Sequence, residues 1–336
     1  MKNGTGRSGA LIVCALIVLG LLATTHGDPL FAQTRLGQFT VSPSAPILST
    51  ATTTRFAVIG DFGFAGVNEA AVAAMVNSWN PDFIITVGDN NYESGAANTI
   101  DPNIGQYYSN YIYPYLGTNF TPTVTITQNL FFPALGNHDW GNLPNNPTGA
   151  NAYLAYFTLP GNERYYDFIW GPVHLFALDS DANEPSGNAV NSAQAVWLNA
   201  RLATSTSKWR LVYMHHPPYS SGTGHPSTPE LQWPYQSWGA TAVLSGHVHN
   251  YERIVKNNFP YFVNGLGGRS LYASGAPISG SLFQYSSGYG AMLVTADDAQ
   301  IEFEFWAISN TLSALDTYTV TIPSTSNRSY VPFVQR

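Results

Sequence analysis

The amino-acid sequence predicts an α/β fold with a central β-sheet. In the first half of the chain, short apolar runs of strand length alternate with segments of helical spacing, and each run ends in a polar turn. Toward the C-terminus, apolar and polar positions alternate, which is typical of strands with one buried face. Apolar residues make up 44% of the 336 positions, which is enough to bury the core of one large domain.

The first half of the chain is predicted to have the element order β-α-β-α-β. Its first helix is expected to end at Pro81, and its second lies in a stretch rich in tyrosine and asparagine. This order is the pattern of an α/β sheet. The predicted elements are a strand at Phe56–Gly60, a helix at Val67–Asn80, a strand at Phe83–Val87, a helix near Ile104–Leu116 and a strand at Phe131–Leu135.

The second half is predicted to add strands and one clear helix, Ala193–Leu202. From Tyr261 onward the pattern turns to β-strands, and neither a repeat nor a long linker divides the region, so we expect one domain. The predicted strands are Tyr165–Ile169, Val173–Leu178, Arg210–Met214, Ala242–Leu244, Gln300–Trp306 and Thr317–Ile322.

The N-terminus has the pattern of a secretory signal peptide. Lys2 and Arg7 precede an apolar run, residues 10–23, that is shorter than the roughly twenty residues a bilayer span needs. We expect cleavage after Gly27 or Ala32, a secreted or periplasmic protein, and no stable membrane anchor. Because the only cysteine, Cys14, lies in the leader, the exported fold must depend on its core, on bound metal, or on both.

The chain is predicted to divide into four segments. Residues 1–32 form the signal peptide and 33–54 a polar N-terminal segment. Residues 55–325 form the folded domain, and residues 326–336 form a C-terminal tail.

Composition excludes an electrostatic nucleic-acid binder. Only 10% of the residues are charged and the net charge is −7. A protein that binds the phosphate backbone needs an excess of lysine and arginine. We therefore expect no nucleic-acid binding.

Histidines and carboxylates gather in the turns that follow five of the predicted strands. Asp61 and Asp89 follow the first two strands, and His26 lies in the signal region. Because the binding loops of open α/β sheets lie at the carboxyl ends of strands, these side chains are expected to meet. Six of the remaining seven histidines occupy three such turns: His138; His215, His216 and His225; and His247 and His249.

Taken singly, each of these residues has an ordinary structural explanation. An aspartate after a strand is commonly a helix cap, and Gly-Asn-His-Asp is commonly a turn. Taken together, they would place several ionisable groups in one buried place, which is costly unless cations compensate them. The sequence therefore predicts a site for more than one metal ion.

Five motifs resemble those of the purple acid phosphatases, which belong to the calcineurin-like metallophosphoesterases. Their order and approximate spacing match from about residue 55 to 270, and the short stretch before Arg55 points to the small single-domain type. The resemblance implies that residues 55–325 form a catalytic domain, a four-layer α/β/β/α sandwich with a dinuclear metal site at the sheet edge. The motifs are Asp61-x-Gly63, Gly88-Asp89-x-x-Tyr92, Gly136-Asn137-His138-Asp139, Val212-x-x-His215 and Gly246-His247-x-His249.

The resemblance also implies two metal ions bridged by Asp89. One ion would be held by Asp61, Tyr92 and His249, and the other by Asn137, His215 and His247. The first set offers anionic oxygens, which favour Fe(III), whereas the imidazoles and amide of the second suit divalent Zn, Fe or Mn.

Tyr92 marks the subclass. Most calcineurin-like enzymes have a histidine ligand at the position of Gly63, and in purple acid phosphatases a tyrosinate replaces that imidazole. The alternative is that Tyr92 is one more packed aromatic among the twenty tyrosines of the chain.

The family relationship implies an acid phosphatase that hydrolyses phosphate monoesters by attack of a metal-bound hydroxide. His138 resembles the family's catalytic histidine, and His225 matches a second one that contacts phosphate or the leaving group. His216 is either a neighbour of the ligands or a structural residue. The expected partners are small phosphate esters.

Two other functions stay open on the sequence. The first alternative is a phosphodiesterase of the same fold, acting on small diesters or cyclic nucleotides, and the second is a non-catalytic metal-dependent binding protein. Residues 93–130, 141–160 and 217–240 are expected to set specificity. Aromatic residues in or beside these loops either stack on a substrate ring or pack on one another; they include Trp140, Tyr219 and Trp233.

Overall fold

Two β-sheets organise the part of the chain that the structure, a computed structural model, describes: residues 53–141 and 149–322. The predicted signal peptide (1–32), nearly all of the polar segment (33–54) and the tail (326–336) lie outside the described residues, as does part of the 141–160 loop. The four-segment division therefore stays a prediction.

Thirteen strands are found in the described residues. In chain order they are β1 (Thr54–Ile59), β2 (Phe83–Thr86), β3 (Phe131–Pro133), β4 (Tyr166–Trp170), β5 (Val173–Ala177), β6 (Trp209–Tyr213), β7 (Ala242–Ser245), β8 (Tyr251–Lys256), β9 (Phe259–Asn264), β10 (Ser281–Tyr285), β11 (Gly290–Ala296), β12 (Gln300–Ala307) and β13 (Asp316–Thr321).

Five α-helical segments accompany the strands. They are α1 (Val67–Ser78), α2 (Gln106–Tyr108), α3 (Asn151–Tyr156), α4 (Ala193–Thr204) and α5 (Tyr235–Trp238). A π-helical turn, Asp101–Gly105, precedes α2, a 3-10 turn, Ser109–Tyr111, follows it, and a second 3-10 turn spans Pro229–Leu231. None of the described helices is long and apolar enough to cross a membrane.

Each sheet has a parallel centre and antiparallel flanks. One has the order β13-β12-β11-β1-β2-β3, with β1, β2 and β3 parallel to one another. The other has the order β10-β8-β9-β7-β6-β5-β4, with β5, β6, β7 and β9 parallel. The carboxyl ends of parallel strands in both sheets are therefore available to carry one site.

The two sheets pack face to face through aromatic side chains. The rings of Phe132 and Phe168 stack with centroids 3.8 Å apart, and those of Tyr251 and Phe305 stack at 4.0 Å. These pairs join β3 to β4 and β8 to β12, so each contact crosses from one sheet to the other. Ring stacking of this kind adds to the burial of apolar area.

Helices cover the outer faces of the sheets. Along β6, Leu211 and Tyr213 belong to the core between the sheets, while Val212 belongs to a second core that contains Leu198 and Leu202 of α4. This alternation is the period-two pattern of a strand buried on both faces. Together with α1 on the other sheet, it gives the predicted α/β/β/α sandwich, and the predicted α/β class is confirmed.

The predicted helix at Ile104–Leu116 is wrong in its second half. The helical segment begins earlier, at Asp101, and ends at Tyr111; Ile112 is already extended, with φ −94° and ψ 125°. Pro114 is the physical reason, because proline disfavours the helical conformation of the residue before it and cannot donate a helical hydrogen bond.

Candidate metal centre

Every candidate ligand lies just beyond the carboxyl end of a parallel strand. Asp61 follows β1, Asp89 and Tyr92 follow β2, Asn137 follows β3, His215 follows β6, and His247 and His249 follow β7. The first three strands belong to one sheet and the last two to the other. The site therefore forms where the two sheets meet.

Four of these side chains converge around the Tyr92 hydroxyl, which donates to Asp89 Oδ2 at 2.8 Å. The same hydroxyl lies 3.3 Å from Asp61 Oδ1 and 3.2 Å from His249 Nε2. His249 Nε2 is 3.3 Å from Asp61 Oδ1, and all four residues are buried. The structure thus places the Tyr92 hydroxyl among the candidate acidic ligands, and this position favours the ligand alternative over simple packing.

A second set converges on His215. Its Nε2 lies 3.0 Å from Asn137 Oδ1, 3.1 Å from His247 Nδ1 and 3.3 Å from Asp89 Oδ1. An amide oxygen, two imidazole nitrogens and a carboxylate oxygen therefore face one another. This is a donor set suited to a divalent transition metal.

Asp89 belongs to both sets. Its Oδ2 faces Tyr92 and its Oδ1 faces His215. A carboxylate whose two oxygens point into neighbouring donor sets is in the position that a bridging ligand requires.

Hydrogen bonds on the far side of the rings orient two of the histidines. The Nδ1 of His215 lies 2.9 Å from the Val87 carbonyl oxygen, and that of His249 lies 2.7 Å from the Ser270 carbonyl oxygen. A carbonyl only accepts, so each Nδ1 carries a proton and each Nε2 is the ring atom that faces the cluster and is available as a metal ligand. His247 is turned the other way and faces the cluster with Nδ1.

The backbone is strained where three ligands are attached. Asp61, Asp89 and His247 have φ values of 54°, 55° and 69°, in the left-handed region that side chains disfavour. Each such residue costs about 1–3 kcal/mol and persists only where its surroundings enforce it. One contact that holds these conformations joins two of the residues, because the His247 N–H donates to Asp61 Oδ2 at 2.9 Å.

Gly63 allows the loops after β1 and β2 to pack together. A Cβ atom at this position would lie 1.8 Å from the Asn90 carbonyl oxygen, which is far inside van der Waals contact. The position therefore has no room for a ligand side chain while the loop carrying Tyr92 is in place. A glycine at residue 63 therefore allows the loop that carries Tyr92 to take this position.

The buried carboxylates of the cluster need a compensating positive charge. Burial raises the pKa of Tyr92, and Asp89 and Asp61 raise it further, so the phenol holds its proton. Burial lowers the pKa of His215, but Asp89 outweighs burial and raises it to about 10. Among the described residues no lysine or arginine pairs with Asp61 or Asp89. Metal ions would replace these protons as the compensating charge, so the donor sets fit metals.

Asp139 fastens the loops after β2 and β3. Its carboxylate accepts hydrogen bonds from the backbone amides of Asn90 at 3.1 Å and Gly136 at 2.9 Å. Burial raises the pKa of Asp139 to about 7, with Asp89 adding to the shift. The residue supports the ligands without facing them.

The two histidines expected to act on substrate border the cluster. His138 Nε2 lies 3.9 Å from Asp89 Oδ2, its Nδ1 lies 2.5 Å from the Glu93 carbonyl oxygen, and its side chain is 30% exposed. His225 packs its ring against His247 with centroids 4.2 Å apart. Both are therefore within reach of a substrate that approaches from solvent.

His216 is a partly exposed neighbour of the second donor set. Its backbone N–H donates to Ser180 Oγ at 2.8 Å, and its Nδ1 lies 2.9 Å from the same oxygen. The ring also lies 4.3 Å from that of His247. Sequence reasoning did not find Ser180, because no motif marks a serine whose only role is to hold a distant histidine.

His174, the seventh histidine after the leader, does not join the site. Its Nε2 lies 2.6 Å from Asp167 Oδ2 and its Nδ1 lies 2.8 Å from Ser205 Oγ. It is a buried residue whose two ring nitrogens both have protein partners.

The three aromatic residues singled out in and beside the predicted specificity loops pack within the protein. Trp140 donates its indole N–H to Asp179 at 2.9 Å, and Tyr219 makes an edge contact with Tyr261 at 4.8 Å. Trp233 is buried. These contacts favour the packing alternative over stacking on a substrate.

Comparisons with known proteins agree with this architecture. A family model described as calcineurin-like phosphoesterase matches residues 54–251, more than half of the chain, and this range includes all seven candidate ligands. The chain is 26% identical over 291 residues to purple acid phosphatase 17 of Arabidopsis thaliana, covering 74% of this chain and 80% of that protein. It is 25% identical over 246 residues to human tartrate-resistant acid phosphatase type 5, covering 63% and 72%.

Two solved structures share the fold. The purple acid phosphatase PPD1 from yellow lupin seeds aligns with a TM-score of 0.63 at 20% identity, over 81% of this chain and 54% of that one. GAP50, described as the anchor in the inner membrane complex of Plasmodium, aligns with a TM-score of 0.61 at 20% identity, over 80% and 89%. At this level of identity the likeness is one of fold.

Proposed function

The chain belongs to the calcineurin-like phosphoesterase family, and we propose that it is an exported acid phosphatase that hydrolyses phosphate monoesters at a dinuclear centre. The proposed ions are Fe(III) and a divalent Zn, Fe or Mn. The observation that carries the proposal is Asp89, whose two oxygens face two different donor sets, one of which contains the Tyr92 phenol.

The names of the relatives support an acid phosphatase among the possible activities of the family. Both curated relatives described above are acid phosphatases, and the plant protein is a purple one. The exchange of a ligand histidine for Gly63 and Tyr92 supports the same choice.

Each donor set would hold one ion. Asp61, Tyr92 and His249 would hold the trivalent ion; Asn137, His215 and His247 would hold the divalent one; and Asp89 would contact both. When bound, the two ions supply Lewis-acid activation of water and neutralise the charge of the phosphate group.

We infer that His138 acts as a proton donor. The Glu93 carbonyl fixes Nδ1–H, so Nε2 faces the space next to Asp89. In its imidazolium form this residue can hydrogen bond to a phosphate oxygen and give its Nε2 proton to the leaving oxygen as the P–O bond breaks. His225, against His247, is placed to contact the leaving group or the phosphate.

His138→Ala tests this role. We expect kcat to fall about 10²- to 10⁴-fold, since general acid catalysis contributes that much. Metal content should be unchanged, because His138 belongs to neither donor set. Unchanged turnover in a fully loaded variant would contradict the role.

The substrate class is tested by comparing an aryl phosphate monoester with the matching diaryl diester. A higher kcat/KM for the monoester under acidic conditions is expected. A dominant diester rate would replace the proposal with the phosphodiesterase alternative. Full metal loading without hydrolysis of either ester would favour a non-catalytic metal-binding protein.

Export rests on the N-terminal sequence alone. We expect the protein recovered from its source to begin after Gly27 or Ala32. A full-length chain that stays in the cytoplasm would contradict this part of the proposal.

A further inference from the structure

A cavity of about 420 Å³ lies beside the candidate metal centre. Two chain segments form most of its wall: the turn at residues 222–225, which follows β6, and residues 271–273, which follow β9. Val248, between the ligands His247 and His249, completes it. Neither segment belongs to the five motifs that carry the candidate ligands, although His225 is itself a candidate substrate-contacting residue.

The wall of the cavity touches both donor sets. Tyr272 stacks on His249 of the first set, with ring centroids 4.1 Å apart and planes 5° apart. His225 packs on His247 of the second set at 4.2 Å, and the rings of His225 and Tyr272 lie 5.4 Å apart. A molecule that reaches the metal centre with one end can therefore occupy the cavity with the other.

The lining carries no permanent charge. Lysine, arginine, aspartate and glutamate are all missing from the eight lining residues, and Val248, Leu271, Ala273 and the Tyr272 ring present apolar surface. Apart from His225, which packs on His247 beside the metal centre, the lining offers no cationic side chain that would pair with a phosphate group. An uncharged group with apolar faces would bury surface against this wall.

We propose that this cavity receives the organic part of the phosphate ester, and that this part is an uncharged aromatic or heteroaromatic group of one or two rings. The inference rests on the proposed phosphatase function and adds its substrate class. The volume agrees with the size, because pockets for small organic molecules run from about 300 to 1,000 Å³ and this one is near the lower end.

Two glycines in the wall have different roles. A Cβ at Gly222 would lie 2.7 Å from Val248 Cγ1 and 2.9 Å from the His225 carbonyl oxygen, so Gly222 is needed for the turn to pack. A Cβ at Gly224 would meet no atom within 4 Å, and its φ lies outside the left-handed region. A side chain can therefore be added at Gly224, on the wall of the cavity, without a clash.

Gly224→Leu is the variant that tests the proposal. The readout is the ratio of kcat/KM for 2-naphthyl phosphate to kcat/KM for ethyl phosphate. We expect the ratio to fall about tenfold or more, because a hydrophobic pocket that changes by a few methyl-sized groups discriminates on this scale. Gly224→Ala should give a smaller fall.

Ala203→Leu is the matched control. Ala203 is exposed on α4, lies outside the predicted specificity loops and does not line the cavity, so a leucine there should leave the ratio unchanged. An unchanged ratio in Gly224→Leu, or an equal fall in the control, would overturn the proposal.

Binding of 2-naphthol to the metal-loaded protein, followed by calorimetry, separates this inference from the proposed function. We expect Gly224→Leu to weaken binding about tenfold relative to Ala203→Leu. Binding that distinguishes the two variants, in a protein that hydrolyses neither ester, would overturn the phosphatase function and support the cavity. Hydrolysis of both esters with equal naphthol binding by the two variants would overturn the cavity and leave the phosphatase function standing.

Discussion

Asp89 is the residue on which the two donor sets depend. Its carboxylate faces Tyr92 with one oxygen and His215 with the other, and the His138 backbone amide donates to it at 2.9 Å. Burial raises the pKa of Asp89, but His215 and His138 outweigh burial, so the net pKa is below its usual value and the group is ionised. The site therefore depends both on the geometry of the Asp89 carboxylate and on its negative charge.

Asp89→Asn separates shape from charge. We expect the variant to lose at least one metal ion per chain and to lose activity by about a hundredfold or more, because a neutral amide replaces the only carboxylate shared by the sets. Metal analysis and kcat on an aryl monoester measure both effects. Asp298→Asn, at an exposed position, should change neither; two ions per chain in Asp89→Asn would contradict the bridging position.

At the residue scale the sequence indicates the candidate ligands better than the residues that support them. Asp61, Asp89 and the histidines follow strands in short motifs, so local pattern is enough to nominate them. The supporting contacts come from distant parts of the chain. Ser180 contacts His216 and Ser270 contacts His249, while Tyr272 forms part of the cavity wall. Such contacts arise only when the chain folds, and the serines and tyrosine that make them have no local signature.

Among the elements, the loops after β1 and β2 form the most tightly constrained contact near the site. The Gly63 carbonyl accepts a hydrogen bond from the Tyr92 amide at 2.8 Å, and a Cβ at residue 63 would lie 1.8 Å from the Asn90 carbonyl oxygen. A side chain at residue 63 would push the two loops apart.

Gly63→Ala should therefore destabilise the fold and weaken metal binding. We expect a loss of about 1–3 kcal/mol in the free energy of unfolding, which is typical of overpacking, measured by urea denaturation. Gly66→Ala is the matched control, because the nearest atom to its Cβ would be 3.6 Å away. Equal stability of the two variants would show that the loops are not held as close as described.

The elements differ in how well the sequence predicts them. Strands that are buried at every position and mostly apolar, such as β2 and β5, are predicted to within a residue or two. Strand β8 is missed, since Glu252 interrupts its apolar pattern; that carboxylate is buried and accepts a hydrogen bond from the Ser221 amide at 2.8 Å. Tertiary hydrogen bonds, which the sequence pattern does not display, permit a charged residue there.

For the whole molecule, one buried carboxyl group links stability to pH. Glu69 of α1 is fully buried, and neither of its oxygens has a hydrogen-bond partner of normal geometry in the described residues. Burial raises its pKa well above the usual value, and the nearby Phe64 amide lowers it only in part. The folded state therefore keeps a proton that the unfolded state releases as the pH rises.

Glu69→Gln should raise the free energy of unfolding, relative to the parent protein, by more at pH 7 than at pH 4. Above the unfolded pKa, the native protein loses up to about 1.4 kcal/mol of unfolding free energy per pH unit from this group, until the pH reaches the folded pKa. Glutamine removes that loss, so the stability difference between variant and parent should grow from pH 4 to pH 7. Glu230→Gln, at an exposed position, should show no such trend; a constant difference for Glu69→Gln would contradict the buried proton.

The visible absorption spectrum of the purified protein, beside that of Tyr92→Phe, tests the central claim most directly. We expect a purple or pink tyrosinate-to-iron band in the parent protein and none in the variant, because the Tyr92 oxygen lies among Asp61, Asp89 and His249. The variant should still bind a metal through the other donors. An active, fully loaded parent without the band, or a band that survives in Tyr92→Phe, would contradict a ferric centre held by Tyr92.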